Sequence, residues 1–136
     1  MMPTAGKPYY FEDLAVGQEA SMARTVSEAD IVAYAALSGD YNPIHVDPVY
    51  ASTTPFKERI AHGILSAGYI SAVFGMQLPG PGSVYISQTL IFKAPVKIDF
   101  KVNLGIVQGN GVGMPLGITN SPSLVTVADE NGTHIT

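Results

Sequence analysis

The chain contains no cysteine, three histidines, and seven lysines plus arginines against eleven acids, for a net charge of −4. The missing thiols exclude a disulfide framework and any thiolate metal centre. His45, His62 and His134 are too few and too scattered to suggest a histidine-rich metal site, so no metal is expected. Scarce cations on an acidic chain argue against a nucleic-acid partner, which needs clustered Lys and Arg. The first residues offer no apolar stretch able to act as a secretory signal, and a cytoplasmic location is the expectation. No Asp, Glu, Lys or Arg occurs between Arg59 and Lys93. A membrane span needs about 20 mostly apolar residues in a row. Here His62, Ser66, Ser71, Gln77 and Pro79-Gly80-Pro81-Gly82 interrupt the run, which reads as buried within protein rather than lipid. A length of 136 residues suits one domain with one core, spanning residues 1–136.

What the chain does contain is punctuated by caps. A strand is expected over residues 20–26. Ser27-Glu28-Ala29-Asp30 then resembles a capping box, and Ile31, Val32, Tyr34, Ala35 and Leu37 follow at helical spacing. Ser38-Gly39 ends that helix, because glycine suits a left-handed cap. Asp47-Pro48 reads as the cap and first position of a short second helix, closed by Thr53, Thr54 and Pro55. Residues 63–77, rich in Ile, Leu, Ala, Val and Phe with small residues between, read as a helix buried nearly all round. Residues 83–92 are rich in β-formers and are expected to make a central strand. Residues 97–107 supply another, alternating at Ile98, Phe100, Val102 and Leu104. The class expected is α+β.

The chemistry gathers in Ser38-Gly39-Asp40-Tyr41-Asn42-Pro43-Ile44-His45-Val46-Asp47. Pro43 lacks an amide proton and restricts Asn42, so Asp40 and His45 are expected on a shaped loop and not stacked along a helix. Such a loop can bring a carboxylate and an imidazole onto one water molecule, the arrangement of general acid–base catalysis. A plain turn, with Asp40 capping and His45 packed at a core edge, uses the same residues. Gly63, at the start of the buried helix, either presents a free amide to an oxyanion or simply permits a tight approach to the helix. Lys57 and Arg59 read as a solvated mixed-charge patch or as partners for a phosphate.

The string S-G-D-x-N-P-I-H-x-D resembles the signature of the MaoC-like hydratases, closest to the (R)-specific enoyl-CoA hydratases of polyhydroxyalkanoate and fatty acid metabolism. The resemblance continues through Ile60-Ala61-His62-Gly63-Ile64-Leu65, Gln77-Leu78-Pro79-Gly80, Gly82-Ser83-Val84-Tyr85 and Phe92-Lys93-Ala94-Pro95-Val96. It implies a hot-dog fold, an antiparallel sheet wrapped around one long helix, and a homodimer acting on acyl-CoA without a cofactor. It further implies hydration of trans-2-enoyl-CoA, with Asp40 and His45 as the catalytic pair and Gly63 as oxyanion donor. Asn42, Ser71 and His62 would support them, and Tyr41, Leu65 and Ile70 are acyl-pocket candidates that could equally be core. A dehydratase on another acyl thioester, or a non-catalytic thioester-binding module, carries much of the same pattern.

The likeness weakens beyond about Asp99. Gly105, Gly109, Gly111, Gly113, Gly117, Pro115 and Pro122 weaken any strand in that region. A strand is expected at residues 123–128, then a hairpin turn at Asp129-Glu130-Asn131-Gly132. The part after about residue 105 is therefore expected to be atypical or truncated.

Overall fold

The computed structural model describes residues 4–85, 88, 90–108 and 122–128. Three strands, β1 (Glu19–Thr25), β2 (Lys101–Gln108) and β3 (Pro122–Ala128), form one antiparallel sheet in the order β1-β2-β3. Between β1 and β2 the chain makes four helices: α1 (Glu28–Ser38), α2 (Pro43–Val46), α3 (Pro48–Thr53) and α4 (Gly63–Met76). No helix among the described residues is long and apolar enough to cross a membrane.

The core is the contact between α4 and one face of the sheet. Strand side chains alternate between faces, so Val102, Leu104 and Ile106 of β2 all point one way and are buried. Ala20 and Met22, paired with Ile106 and Leu104, pack on the same side. Tyr69, Ile70 and Val73 of α4 meet them, and Ile31 of α1 and Val26 close the cluster. Helical residues three or four apart share a face, which explains why the buried set of α4 is Ser66, Ala67, Tyr69, Ile70 and Val73 while Ile64, Gly68 and Ser71 are exposed. The helix is one-sided rather than buried all round.

Local chemistry sets the ends of α1. The Ser27 hydroxyl accepts from the Asp30 amide, and the Asp30 carboxylate accepts from the Ser27 amide, completing a capping box. Arg24 of β1 adds a 2.8 Å ion pair to Asp30 and lies over the Tyr69 ring, tying strand to both helices. Burial would raise the Asp30 carboxyl, but the bonds from the Ser27 amide and the Arg24 guanidinium outweigh it and hold the group below its ordinary range.

Two expectations change. The described residues of 83–92 lie outside any strand, and Val84, Tyr85, Ile91 and Phe92 are exposed. β-propensity measures fit to a pleated, half-buried surface, and no described strand of this chain lies alongside to supply one. The strand expected from residue 97 begins at Lys101, because Asp99 takes a left-handed turn (φ 65°) and donates its amide to the Val26 carbonyl, while the Val26 amide donates to the Phe100 carbonyl. β2 nonetheless runs through Gly105 as far as Gln108, and β3 covers the strand expected at 123–128. The hairpin turn at 129–132 lies outside the described residues.

Ile70, fully enclosed between α4 and the sheet, should lose about 2–5 kcal/mol on Ile70→Ala, read from urea unfolding. The lowered Asp30 carboxyl contributes stability that is present above the ordinary Asp range and lost as pH falls through the lowered value. Asp30→Asn should therefore reduce stability at neutral pH and flatten the acid limb of a stability–pH curve; an unchanged acid limb would show that the cap carries no linkage.

Candidate active site

α1 delivers the loop at a defined point. Gly39 closes the helix in a left-handed conformation (φ 79°) and donates to the Ala35 carbonyl. Ser38 turns back on its own helix, its hydroxyl donating to the Tyr34 carbonyl and accepting the Asp40 amide at 3.1 Å. The Asp40 carboxylate accepts the Asn42 amide at 3.1 Å, and the Asn42 side-chain oxygen caps α2 through the Ile44 amide. Asn42 thus shapes the loop, as expected of an Asn before such a turn. His45 is carried on α2, a single helical turn, rather than on irregular loop. Pro43 stands at its first position, where a missing amide proton costs nothing. Asp47 stops α2 and caps α3 through the Val49 and Tyr50 amides.

The two histidines meet where this loop faces the start of α4. His45 is 9% exposed and its Nδ1 lies 2.7 Å from the Ile60 carbonyl oxygen. His62 is 2% exposed and its Nε2 lies 2.9 Å from the Asp40 carbonyl oxygen. A carbonyl only accepts, so each of those nitrogens carries the proton and donates it. In the neutral ring this leaves the lone pair on Nε2 of His45 and on Nδ1 of His62. The rings stack with centroids 3.8 Å apart and planes 30° apart, and Tyr34 backs His62 at 4.7 Å. One donor atom each from Asp40, His45 and His62 falls within 4.8 Å of the other two, a spacing that suits a shared water as well as a small cation.

A cavity of about 390 Å³ opens beside this cluster. His45, His62, Gly63 and Ser66 line one side, and Phe56, Ile64 and Phe92 supply much of its apolar wall. Gly63 is the first residue of α4. The leading amides of a helix have no partner within it and sit at the positive end of its dipole. A base and a helix N-terminus therefore border one apolar cavity, and the Asp40 carboxylate stands within 4.8 Å of the imidazole nitrogens, a set able to take a proton from water and to stabilise a nascent oxyanion. The remaining predicted residues divide. Tyr41 and Ser71 are exposed, Ile70 is core, and half-buried Leu65 packs against that core; none of the four lines the cavity. Arg59 pairs with Glu28, and Glu58 with Lys97, whereas the cation on the cavity wall is Lys93.

This fold and site define the class. Residues 13–114 match the MaoC like domain, and the chain belongs to that family, with the hot-dog fold of its structural neighbours. An (R)-specific enoyl-CoA hydratase of Rhodospirillum rubrum is 62% identical over 90 residues, 66% of this chain and 62% of that protein. A 3-hydroxybutyryl-CoA dehydratase of Methylorubrum extorquens is 56% identical over 89 residues, 65% of this chain and 57% of that one. The match thus spans about three-fifths of the length of both curated relatives. The solved (R)-hydratase from A. caviae involved in PHA biosynthesis superposes with a TM-score of 0.79 at 34% identity, covering 91% of this chain and 92% of that one.

Ser66, 6% exposed and on the cavity wall, escaped the sequence reading, which favoured Ser71. The available signal was periodicity: Ser66 shares the face of Ile70 and Val73, and Ser71 does not. Gly63 has a steric reason as well, since a Cβ there would stand 2.9 Å from the Phe92 ring. That ring is half exposed and contacts the Cβ position by its far edge. Gly63→Ala should therefore turn the ring aside and leave stability within about 1 kcal/mol of the parent. Thermal melting and a crystal structure of the variant check this; a loss of several kcal/mol would show the ring to be locked.

Proposed function

We propose that this chain is an (R)-specific enoyl-CoA hydratase, adding water to trans-2-enoyl-CoA to give (R)-3-hydroxyacyl-CoA. One observation carries the reading: His45, anchored through Nδ1 to the Ile60 carbonyl, has a ring nitrogen within 4.8 Å of the Asp40 carboxylate and lines an apolar cavity that begins at the amide end of α4. Asp40 and His45 hold the water between them. One takes its proton as the oxygen attacks C3, the π electrons move onto the thioester as an enolate, and the pair returns a proton to C2. The Gly63 amide faces the enolate oxygen. The reaction consumes one water and needs no electron acceptor, metal or organic cofactor. Run backwards it is the dehydration for which the Methylorubrum extorquens relative is named. Ile64 and Phe92 border the acyl end in place of Tyr41, Leu65 and Ile70, and Ser66 in place of Ser71 is the helix serine on the cavity wall.

The reading extends to a single domain working in the cytoplasm as a homodimer. Exposed Val84, Ile91 and Phe92, in a segment with the composition of a strand, favour burial against a second copy.

The test is hydration of crotonyl-CoA, followed as loss of enoyl-thioester absorbance with chiral analysis of the product. The wild type should give the (R)-alcohol, and Asp40→Asn and His45→Gln should each lower kcat by about 10²–10⁴. Gly63→Ala, which places a methyl beside the oxyanion donor, should cost about 10²–10³. A folded wild type inert toward crotonyl-CoA and longer enoyl-CoAs would sink the proposal. The thioester-binding reading would then take its place.

A further inference from the structure

His62 occupies the N-cap of a fourteen-residue helix, yet its side chain makes no cap bond. An N-cap side chain ordinarily accepts from the first turn of its own helix. This one turns away and donates Nε2–H to the Asp40 backbone carbonyl, 22 residues earlier. Among the described residues its Nδ1 is buried and has no partner. A buried polar atom without a partner is destabilising, so the ring sits where it does at the expense of an ordinary hydrogen-bonding arrangement.

The other bonds to Asp40 are local. Its amide meets Ser38 and its carboxylate meets the Asn42 amide, both two residues away. These shape the loop but leave its distance from α4 open. The His62 bond crosses from the loop to the residue immediately before Gly63. The same ring stacks on His45 at 3.8 Å. One side chain therefore touches the peptide of the acid, the face of the base and, through the chain, the proposed oxyanion amide.

We propose that His62 is a positioning residue that sets the register of the Asp40–His45 pair against the N-terminus of α4, through a neutral ring protonated on Nε2. The inference rests on the hydratase reading for its catalytic consequence but not for its tautomer. His62→Phe keeps a ring against His45 and Tyr34 and removes the donor. His62→Gln removes the ring and keeps an N–H at about the position of Nε2.

The experiment has two arms. In the first, ring ¹⁵N shifts of the wild type are recorded above the ordinary imidazole range, and the His62 proton should appear on Nε2; a proton on Nδ1 overturns the proposal whether or not the protein is active. In the second, crotonyl-CoA kinetics are compared across variants confirmed as folded by circular dichroism. His62→Phe should lose about 10²-fold in kcat, the cost of a roughly 1 Å misplacement, with KM within about threefold. His62→Gln should recover at least about tenfold of that loss. Equal kcat in both variants, or wild-type kcat in His62→Phe, also overturns it. If His62→Phe fails to fold, His62→Gln decides: kcat within about tenfold of wild type supports the donor role, and a loss of about 10² or more overturns it. An inert wild type with the Nε2–H tautomer present refutes the hydratase reading and leaves the clamp standing.

Discussion

The packing of α4 onto the buried face of β2 is the contact on which the rest of the structure depends. Val102, Leu104 and Ile106 give the sheet a dry face, and Ile70 and Val73 give the helix a matching one. Once these interlock, the N-terminus of α4 has a fixed place relative to the sheet. His62 and Gly63 stand at that terminus, so the apolar contact decides where polar chemistry can occur. Cores pack at crystal-like density and tolerate little adjustment, which makes them a firm base for a site that needs placement to fractions of an ångström.

The polar half of the site is built from backbone carbonyls. The Ile60 and Asp40 carbonyls each accept one imidazole proton, and in doing so they determine which nitrogen of His45 and of His62 is left with a lone pair. Neither imidazole proton goes to a carboxylate in this arrangement. The Asp40 carboxylate is left to its own turn and to solvent, within 4.8 Å of a His45 ring nitrogen. Bonding the backbone of an acid rather than its charged group positions it without neutralising it.

Legibility varied along the chain with the range of the forces involved. Ser27, Asp30, Gly39, Asp47 and Pro48 shape helix ends within four residues of themselves, and their roles as caps and stops could be read directly. The alternation of β2 was equally plain, because period two survives in any sheet with one buried face. Residues 83–92 show the opposite case. Their composition is that of a strand, but a strand requires a neighbour, and composition does not supply one. Ser66 and Ser71 differ only in which side of α4 they occupy, and that follows from where the sheet lies. His45 was expected on a loop because a proline preceded it, whereas Pro43 opens a helical turn and carries His45 inside it.

By itself, then, the sequence determined the ends of α1 and the starts of α3 and α4, the buried stripe of β2, the segment bearing Asp40 and His45, and the family likeness that accompanies it. Only the tertiary structure decided that His62 reaches Asp40, that the two imidazoles stack, that Ile60 orients the base and that Ser66 faces the cavity. The reason is physical. Caps and alternation are local and repeat the same geometry wherever the residues occur, while the encounter of residues 40, 45 and 62 depends on three segments being folded back onto one helix end. That folding is driven by apolar burial, which is non-directional and leaves no motif of its own in the chain.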